Sequence, residues 1–309
     1  MSITGYAQWL RKYRLLIVPK SGGNAIDVSQ LRITFICEKS TTETPNFSQI
    51  TVYNLAGSTI ASIKAGDKVI LEAGYQNGNC GMIFTGEIVQ PYTSKSDNTD
   101  IALTLIVQDG DAYLNSAFTA QTIGKKATPK DILSACSAGS EGLGTISKLL
   151  PQTKLPRGKV LFGKSAYYVK QIARTTRGQF YVEDGKVNIV AAPDYDPSTA
   201  VELNPSTGLI GIPSQTDDGV SGQCLLNPSI KLNTLIYINA SLVSAKAATK
   251  GEDGAVKVSD KNSDGVYRVV KLTYEGDTYG DPWYCNFEAV TQAGAKLTAQ
   301  EKDVVSPWR

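Results

Sequence analysis

Histidine is absent from all 309 residues. Without it no Ser-His-Asp or Cys-His nucleophile pair can form, no H-E-x-x-H zinc site exists, and no imidazole moves protons near neutrality. Chemistry would have to rest on carboxylates, Lys, Tyr, Ser or Cys. The cysteines are few and odd in number (Cys37, Cys80, Cys136, Cys224 and Cys285), scattered and without a C-x-x-C pair. That argues for reduced, mostly buried thiols and against a disulfide frame or a metal site. No run approaches the roughly 18 apolar residues of a membrane span. Arg11, Lys12 and Arg14 also interrupt any leader-like stretch at the N-terminus, so neither a span nor a classical signal is expected. A net charge of +2 with 19% charged residues gives no global basic field to attract duplex DNA and no acidic tail.

What is present is β grammar. RLLIV at 14–18, LRITFIC at 31–37 and FSQITVYNL at 47–55 are short β-branched runs,. KVILEAGY at 68–75 and GMIFTGEIVQ at 81–90 flank Asn77-Gly78, which predicts a tight hairpin with positive φ at both turn positions,. DIALTLIVQD at 100–109 alternates with a period of two,. The character changes near Ala117. Thr128-Pro129-Lys130-Asp131 supplies a cap, a proline and an acid for one helix; a second starts at Ser165 and meets Gly178,. A hairpin turning at Glu183-Asp184-Gly185 follows, and PDYDPSTAVELNPSTG leads out of this α+β stretch,. From Leu209 strands return, ending in GVYRVVKLTYEGDTYGDPWYCNFEAV at 265–290, which reads as a hairpin with one buried face,. The charged segment at 244–265 is expected to be a long hairpin excursion or loop. The fold expected is mainly β with an α+β insertion: two similar antiparallel β-barrel modules, 1–117 and 197–309, flanking a small α+β domain, 118–196.

The similarity is internal. Ile63-Lys64-Ala65-Gly66-Asp67-Lys68-Val69-Ile70-Leu71 can be laid beside Ile230-Lys231-Leu232-Asn233-Thr234-Leu235-Ile236-Tyr237-Ile238, each followed by a strand led by glycine, Gly81 or Gly265. We read this as a duplication. Two like modules per chain, taken three times around an axis, present six similar units to a six-fold ring.

The GDKVILEAGY strand with its IFTGEI partner, the LLNPSIKLNTLIYI segment and the GVYRVVKLTYEGDTYGDPW hairpin, in that order, resemble the baseplate hub proteins of contractile phage tails, of the late control protein D type. KQIARTTRGQFYVEDGKVNI in the middle extends the resemblance more loosely. It implies two tail-tube-like β-barrels with an inserted α+β domain, and a homotrimer adapting the hexameric tail tube to the trimeric spike. It also implies tape-measure and other baseplate proteins as partners, DNA only in transit through the channel, no membrane, and a place in the virion after assembly in the host cytoplasm. Some members carry a cell-wall-cleaving domain; with about 20 residues after the last hairpin, none is expected in this sequence,.

Two stretches look like chemistry. Gly158-Lys159-Val160-Leu161-Phe162-Gly163-Lys164-Ser165 satisfies G-x-x-x-x-G-K-[ST],. The preceding TKLPR is no buried strand, however, and Val160-Leu161-Phe162 reads as a strand rather than a phosphate cradle, leading through a Gly-Lys turn to a helix cap at Ser165. Glu275, Asp277 and Asp281 lie on a Gly-containing loop, where neighbouring acids are expected to be solvated rather than opposed across a sugar cleft. Asp109-Gly110-Asp111 lacks the further oxygens of a calcium loop. No catalytic, cofactor or metal residue is therefore assigned; Glu275, Asp277, Tyr279, Asp281, Trp283 and Asn77 are candidate assembly contacts. The alternatives are a carbohydrate- or nucleotide-acting enzyme and a glycan-binding adhesin using aromatics such as Tyr167, Tyr168, Trp283 and Trp308.

Overall fold

The computed structural model describes residues 8–96, 100–191, 200–244, 249–250, 256–257 and 265–291. The N-terminal strands are β1 (Arg11–Val18), β2 (Ile26–Asp27), β3 (Ile33–Ser40), β4 (Asn46–Tyr53), β5 (Lys68–Tyr75), β6 (Cys80–Ser96) and β7 (Asp100–Asp109), with α1 (Gly57–Ser62) between β4 and β5. The middle stretch contains β8 (Phe118–Ile123), α2 (Pro129–Cys136), β9 (Leu143–Ile146), β10 (Lys159–Lys164), α3 (Ser165–Thr175), β11 (Gly178–Glu183) and β12 (Lys186–Ala191). The C-terminal strands are β13 (Val201–Glu202), β14 (Leu209–Gln215), β15 (Gly219–Leu225), β16 (Leu235–Tyr237), β17 (Thr249–Lys250), β18 (Val256–Lys257), β19 (Val266–Asp277) and β20 (Trp283–Thr291). Of the charged excursion only the short β17–β18 ribbon is described. Most of the rest of it, residues 193–199 of the proline-rich exit and Trp308 lie outside the described residues.

The strands form because every second side chain has a core to enter. On β3, Ile33, Phe35 and Cys37 face inward, and on β20 Trp283, Cys285, Phe287 and Ala289 do the same. These side chains join Leu15, Ile50, Leu105, Val220 and Leu272 in one apolar core shared by the N- and C-terminal strands. A second core, built from Tyr113, Leu133, Leu161, Val169, Ile172 and Phe180, belongs to the middle stretch.

The duplication is written into the topology. In chain order β1, β3, β4, β5, β6 and β7 answer to β13, β14, β15, β16, β19 and β20. The lateral orders β3-β4-β7-β6-β5-β1 and β14-β15-β20-β19-β16-β13 are then the same. One ladder departs: β13 pairs with β16 in parallel, where β1 and β5 are antiparallel. The sequence match at Ile63 and Ile230 is exact in geometry. Gly66 and Asn233 both take positive φ, at 89° and 64°. Lys64 N–H is accepted by the Asp67 carboxylate and Lys231 N–H by the Thr234 hydroxyl. Gly66 N–H reaches Ile88 O and Asn233 N–H reaches Val269 O, while Ile88 and Val269 return N–H bonds to Asp67 and Thr234. Both long strands then bulge at the next residue, between Ile88 and Gln90 and between Val269 and Lys271. Because Ile88 stands against Val269, Gly81 and Gly265 are not equivalent; that part of the sequence match is three residues out of register.

The two strand sets are joined within one chain. β3 lays its free edge on the second half of β19, in register from Thr34 against Asp277 to Ser40 against Lys271. The thirteen-stranded sheet is therefore continuous, and no ladder among the described residues closes β3 onto β1 or β2.

Local chemistry mostly follows expectation, with two exceptions. Thr128 and Asp131 form a reciprocal capping box around Pro129, as the spacing predicts,. Asp184 and Gly185 take positive φ, at 53° and 75°, as an Asp-Gly hairpin needs,. Asn77-Gly78, by contrast, takes no positive φ. The connection runs from Tyr75 to Asn79, with Gly78 N–H on Tyr75 O and Tyr75 N–H on Asn79 O. The glycine that matters there is Gly74, where a Cβ would lie 2.1 Å from Asn79 O. At the end of α3, Arg177 rather than Gly178 adopts the left-handed conformation (φ 53°); Gly178 is already in β11, where a Cβ would meet Val190 O at 2.6 Å.

Candidate assembly surfaces

The hairpin between β19 and β20 is only partly solvated. Asp277 is buried. The Arg32 guanidinium grips it with Nη2 2.7 Å from Oδ2 and Nε 3.3 Å from Oδ1. Arg32 first, then backbone N–H groups of Tyr279 and Gly280, hold its carboxyl below the usual range. Arg11 reaches across from β1 to the carbonyls of Asp277 (2.7 Å) and Asp281 (2.9 Å), and its guanidinium lies 5.3 Å from the Trp283 ring centroid. Trp283 packs edge-on to Phe35 at 5.6 Å, and Glu275 pairs in the ladder with Ile36. The expectation of a solvated acidic turn fails for Asp277 because β3 brings Arg32 and a buried face to the hairpin. Asp277 and Trp283 thus face the N-terminal strands of the same chain, which Glu275 meets through its backbone ladder. Tyr279, Asp281 and Asn77 remain exposed. Asn79, in the Asn77 hairpin, donates to Asn227 at 3.1 Å.

A buried ionic junction escaped sequence reasoning. Lys39 on β3 is 2% exposed. Its ammonium lies 2.9 Å from Asp184 and 3.4 Å from Glu183 at the tip of the β11–β12 hairpin. Asp109, ending β7, accepts N–H bonds from Asp184 (2.7 Å) and Gly185 (2.9 Å). Lys231 reaches Asp184 from the C-terminal part at 3.5 Å, and Asn46 donates to Val182 O at 2.8 Å. Burial works against the Lys39 charge, but Glu183 and Asp184 outweigh it and raise its pKa. Burial also pushes Glu183 and Asp109 upward, with Lys39 opposing. The cluster locks all three parts of the chain at one point. Its only signal in the sequence is a lysine on the inward phase of an apolar strand.

The phosphate-loop pattern is a strand. Lys159–Lys164 pairs antiparallel with β8, from Lys159 against Ile123 to Lys164 against Phe118. Val160 and Phe162 point to solvent, 68% and 71% exposed. Ser165 is the first residue of α3 rather than its cap: its hydroxyl bonds Thr119 at 2.6 Å and its N–H bonds Ala117 O at 2.9 Å. The Ser165 N–H and the ladder donors of the strand are engaged this way rather than turned on a phosphate,. A cleft of about 250 Å³ borders Asp109, Asp111, Tyr113 and Glu141, but both Asp109 oxygens are taken by backbone N–H groups. Among the described residues no group of three or more His, Cys, Asp or Glu could hold a metal ion, and no helix is long and apolar enough to cross a membrane. The five cysteines are free thiols, and burial lifts Cys37 to about 12.

Among the described residues, Gln90–Ser96 and β14 each present a strand edge. β5 pairs with β6 only as far as Glu87, so among the described residues Gln90–Ser96 has a ladder on one side, to β7. The equivalent stretch of β19, Lys271–Asp277, is where β3 docks. At the far end of the sheet, β14 has β15 on one side. On its other side Ser244 N–H bonds Pro213 O (2.8 Å) and Gln215 N–H bonds Ser244 O (3.1 Å). Pro91 and Pro213 interrupt these edges, as prolines do where uncontrolled pairing must be avoided.

The architecture has solved counterparts. A tail protein from Neisseria meningitidis MC58 superposes with a TM-score of 0.58 at 9% identity, covering 93% of this chain and 98% of its own. The 43 kDa tail protein of prophage MuSo2 from Shewanella oneidensis gives 0.57 at 10% identity, covering 92% and 99%. An E. coli component of the type VI secretion system, described as structurally similar to the T4 tail proteins gp27 and gp5, gives 0.51 at 11% identity, covering 84% and 73%. At such identities the likeness is one of fold. No curated protein matches the sequence. Residues 40–246 match the family model for baseplate hub gp41, so the chain belongs to that family of tail baseplate hubs.

Proposed function

We propose that the chain acts as a structural adaptor at the tip of a contractile phage tail, a homotrimer whose six β modules make a pseudo-six-fold collar between the hexameric tail tube and the trimeric spike. In this reading the chain divides into 1–117, 118–196 and 197–309. The tube, the spike, the tape-measure protein and other baseplate proteins are its partners, and DNA only passes through. It works within the virion tail, after assembly in the host cytoplasm, and catalyses nothing. Asn77, Tyr279 and Asp281 are the hairpin-tip residues still free to meet a neighbouring ring.

The observation that supports this is the repeated strand order together with the junction of β3 on β19. The same junction made between copies sets β14 of one chain on Gln90–Ser96 of the next. Such a heterologous contact closes into a ring after three steps, and the two bonds to Ser244 give way to a longer ladder. Carrying the Ile36–Glu275 pair through the duplication places Ser214 opposite Ser94. Directly opposed antiparallel residues lie about 4.5–5.5 Å apart, within disulfide reach. Sedimentation should therefore show a trimer. Oxidised Ser94→Cys with Ser214→Cys should give intermolecular crosslinks, and Ser94→Cys with Ile210→Cys should not. A monomer at high concentration that yields neither trimer nor register-specific crosslink refutes the collar.

A further inference from the structure

The middle stretch is charged quite unlike the rest. Residues 118–191 hold twelve Lys and Arg against four Asp and Glu, although the whole chain carries only +2. All four acids are already engaged. Asp131 closes the capping box of α2, Glu183 and Asp184 neutralise buried Lys39, and Glu141 pairs with Lys68. The cations on this surface, Lys170 with Glu43 aside, therefore have no intramolecular counter-charge among the described residues, and the field they project is positive.

The β8–β10 ribbon carries an apolar row in the midst of that field. Its inward phase, Thr119, Ile123 and Leu161, is buried; its outward phase sets Phe162 beside Ala120 and Phe118 beside Lys164. Phe118 is 54% and Phe162 71% exposed, and their rings meet edge to face at 5.0 Å. At Phe162 the backbone edge is taken: the Tyr168 hydroxyl accepts from Phe162 N–H (2.9 Å) and donates to Phe162 O (3.1 Å). At Phe162 a partner therefore meets the face of the ribbon, not its backbone.

We infer that this face is a docking surface for an acidic protein segment that sets apolar side chains on Phe118 and Phe162 and carboxylates against Lys164 and the neighbouring cations. Charge complementarity selects an anion. The apolar row selects protein over DNA, because phosphates offer nothing to bury against two phenyl rings and a valine. The surface lies outside the strand edges of the proposed collar, so its test can fail while the collar stands.

The test uses the full chain and fluorescence anisotropy with three labelled probes: a peptide alternating glutamate with leucine, a polyglutamate peptide and a DNA duplex, matched in charge. The alternating peptide should bind about tenfold tighter than the other two, with affinity falling as salt rises. Phe162→Ser and Lys164→Glu should each weaken it about tenfold, while Trp9→Ser, exposed elsewhere, changes nothing. These side chains are on the surface, so circular dichroism should show intact folding. Equal binding of all three polyanions, preference for DNA, or no binding overturns the proposal. So does loss of self-association in Phe162→Ser, which would make the face an interface between copies.

Discussion

Replacing Lys39 by methionine keeps the aliphatic stem in place and removes the one charge that reaches both Glu183 and Asp184. The ammonium is 2% exposed and the two carboxylates 11% and 14%, so water cannot take over its role. Breaking a buried pair by deleting one partner costs about 3–5 kcal/mol, because the remaining charge stays desolvated. Asp184 keeps Lys231 at 3.5 Å, which leaves Glu183 as the stranded group and puts the expected loss near 3 kcal/mol. The penalty should depend on pH with a definite sign. Glu183 is already raised by burial, and loss of Lys39 raises it further. A carboxyl whose folded pKa exceeds its unfolded value, about 4.3, binds more protons when folded. Stability then increases as pH falls from the folded pKa toward the unfolded one. Urea unfolding followed by Trp283 fluorescence and circular dichroism should show Lys39→Met far weaker than the native chain at pH 7 and closer to it at pH 5. Glu183→Gln added to Lys39→Met should restore much of the loss. A cost below about 1 kcal/mol, the scale of an exposed ion pair, or no recovery in the double variant refutes the buried-junction reasoning.

Other perturbations test separate parts of the structure. Arg32→Ala removes a two-pronged grip on Asp277 from a half-exposed position and should cost about 1–2 kcal/mol in denaturant unfolding. Since Asp277 is held below its unfolded pKa, the native chain's advantage over Arg32→Ala is full above about pH 4 and fades as pH falls through the folded pKa. Gly185→Ala forces a Cβ at φ 75° to within 2.8 Å of Glu141 Cγ and should destabilise by about 1–2 kcal/mol, whereas Gly57→Ala, with open space around it, should not. Calorimetric titration with ATP or GTP and magnesium should give no saturable heat for the native chain or for Lys164→Ala; a saturable site lost in the variant would restore the phosphate-loop reading.

The parts of the fold that were legible in the sequence are those fixed by residues close together. Period-two burial in β20, the Thr128–Asp131 capping box and the Asp184-Gly185 turn each follow from a few adjacent side chains, whereas β7 is buried on both faces from Ala102 to Leu105 and exposes Ile101. The Ile63 and Ile230 stretches also declare themselves, because a positive-φ residue and a side-chain acceptor one place later satisfy the same backbone groups in both. Asn77-Gly78 misled because a longer connection serves β5 and β6, and the crowded backbone at Gly74 decides its path. Ser165 misled because a hydroxyl at a helix start bonds whatever acceptor tertiary packing supplies, here Thr119.

Sequence alone thus determined a β-rich chain, its interruption by α+β structure and the presence of a repeat, since alternation, capping and turn chemistry are local properties. Only the tertiary structure decided that the two repeats share a core, that β3 covers β19, and that Asp277 is buried under Arg32. It also brought Lys39 to Glu183, 144 positions away. Strand partners and buried charges are chosen by complementary surfaces that meet only when the chain has folded, and spacing along the sequence carries no record of that meeting.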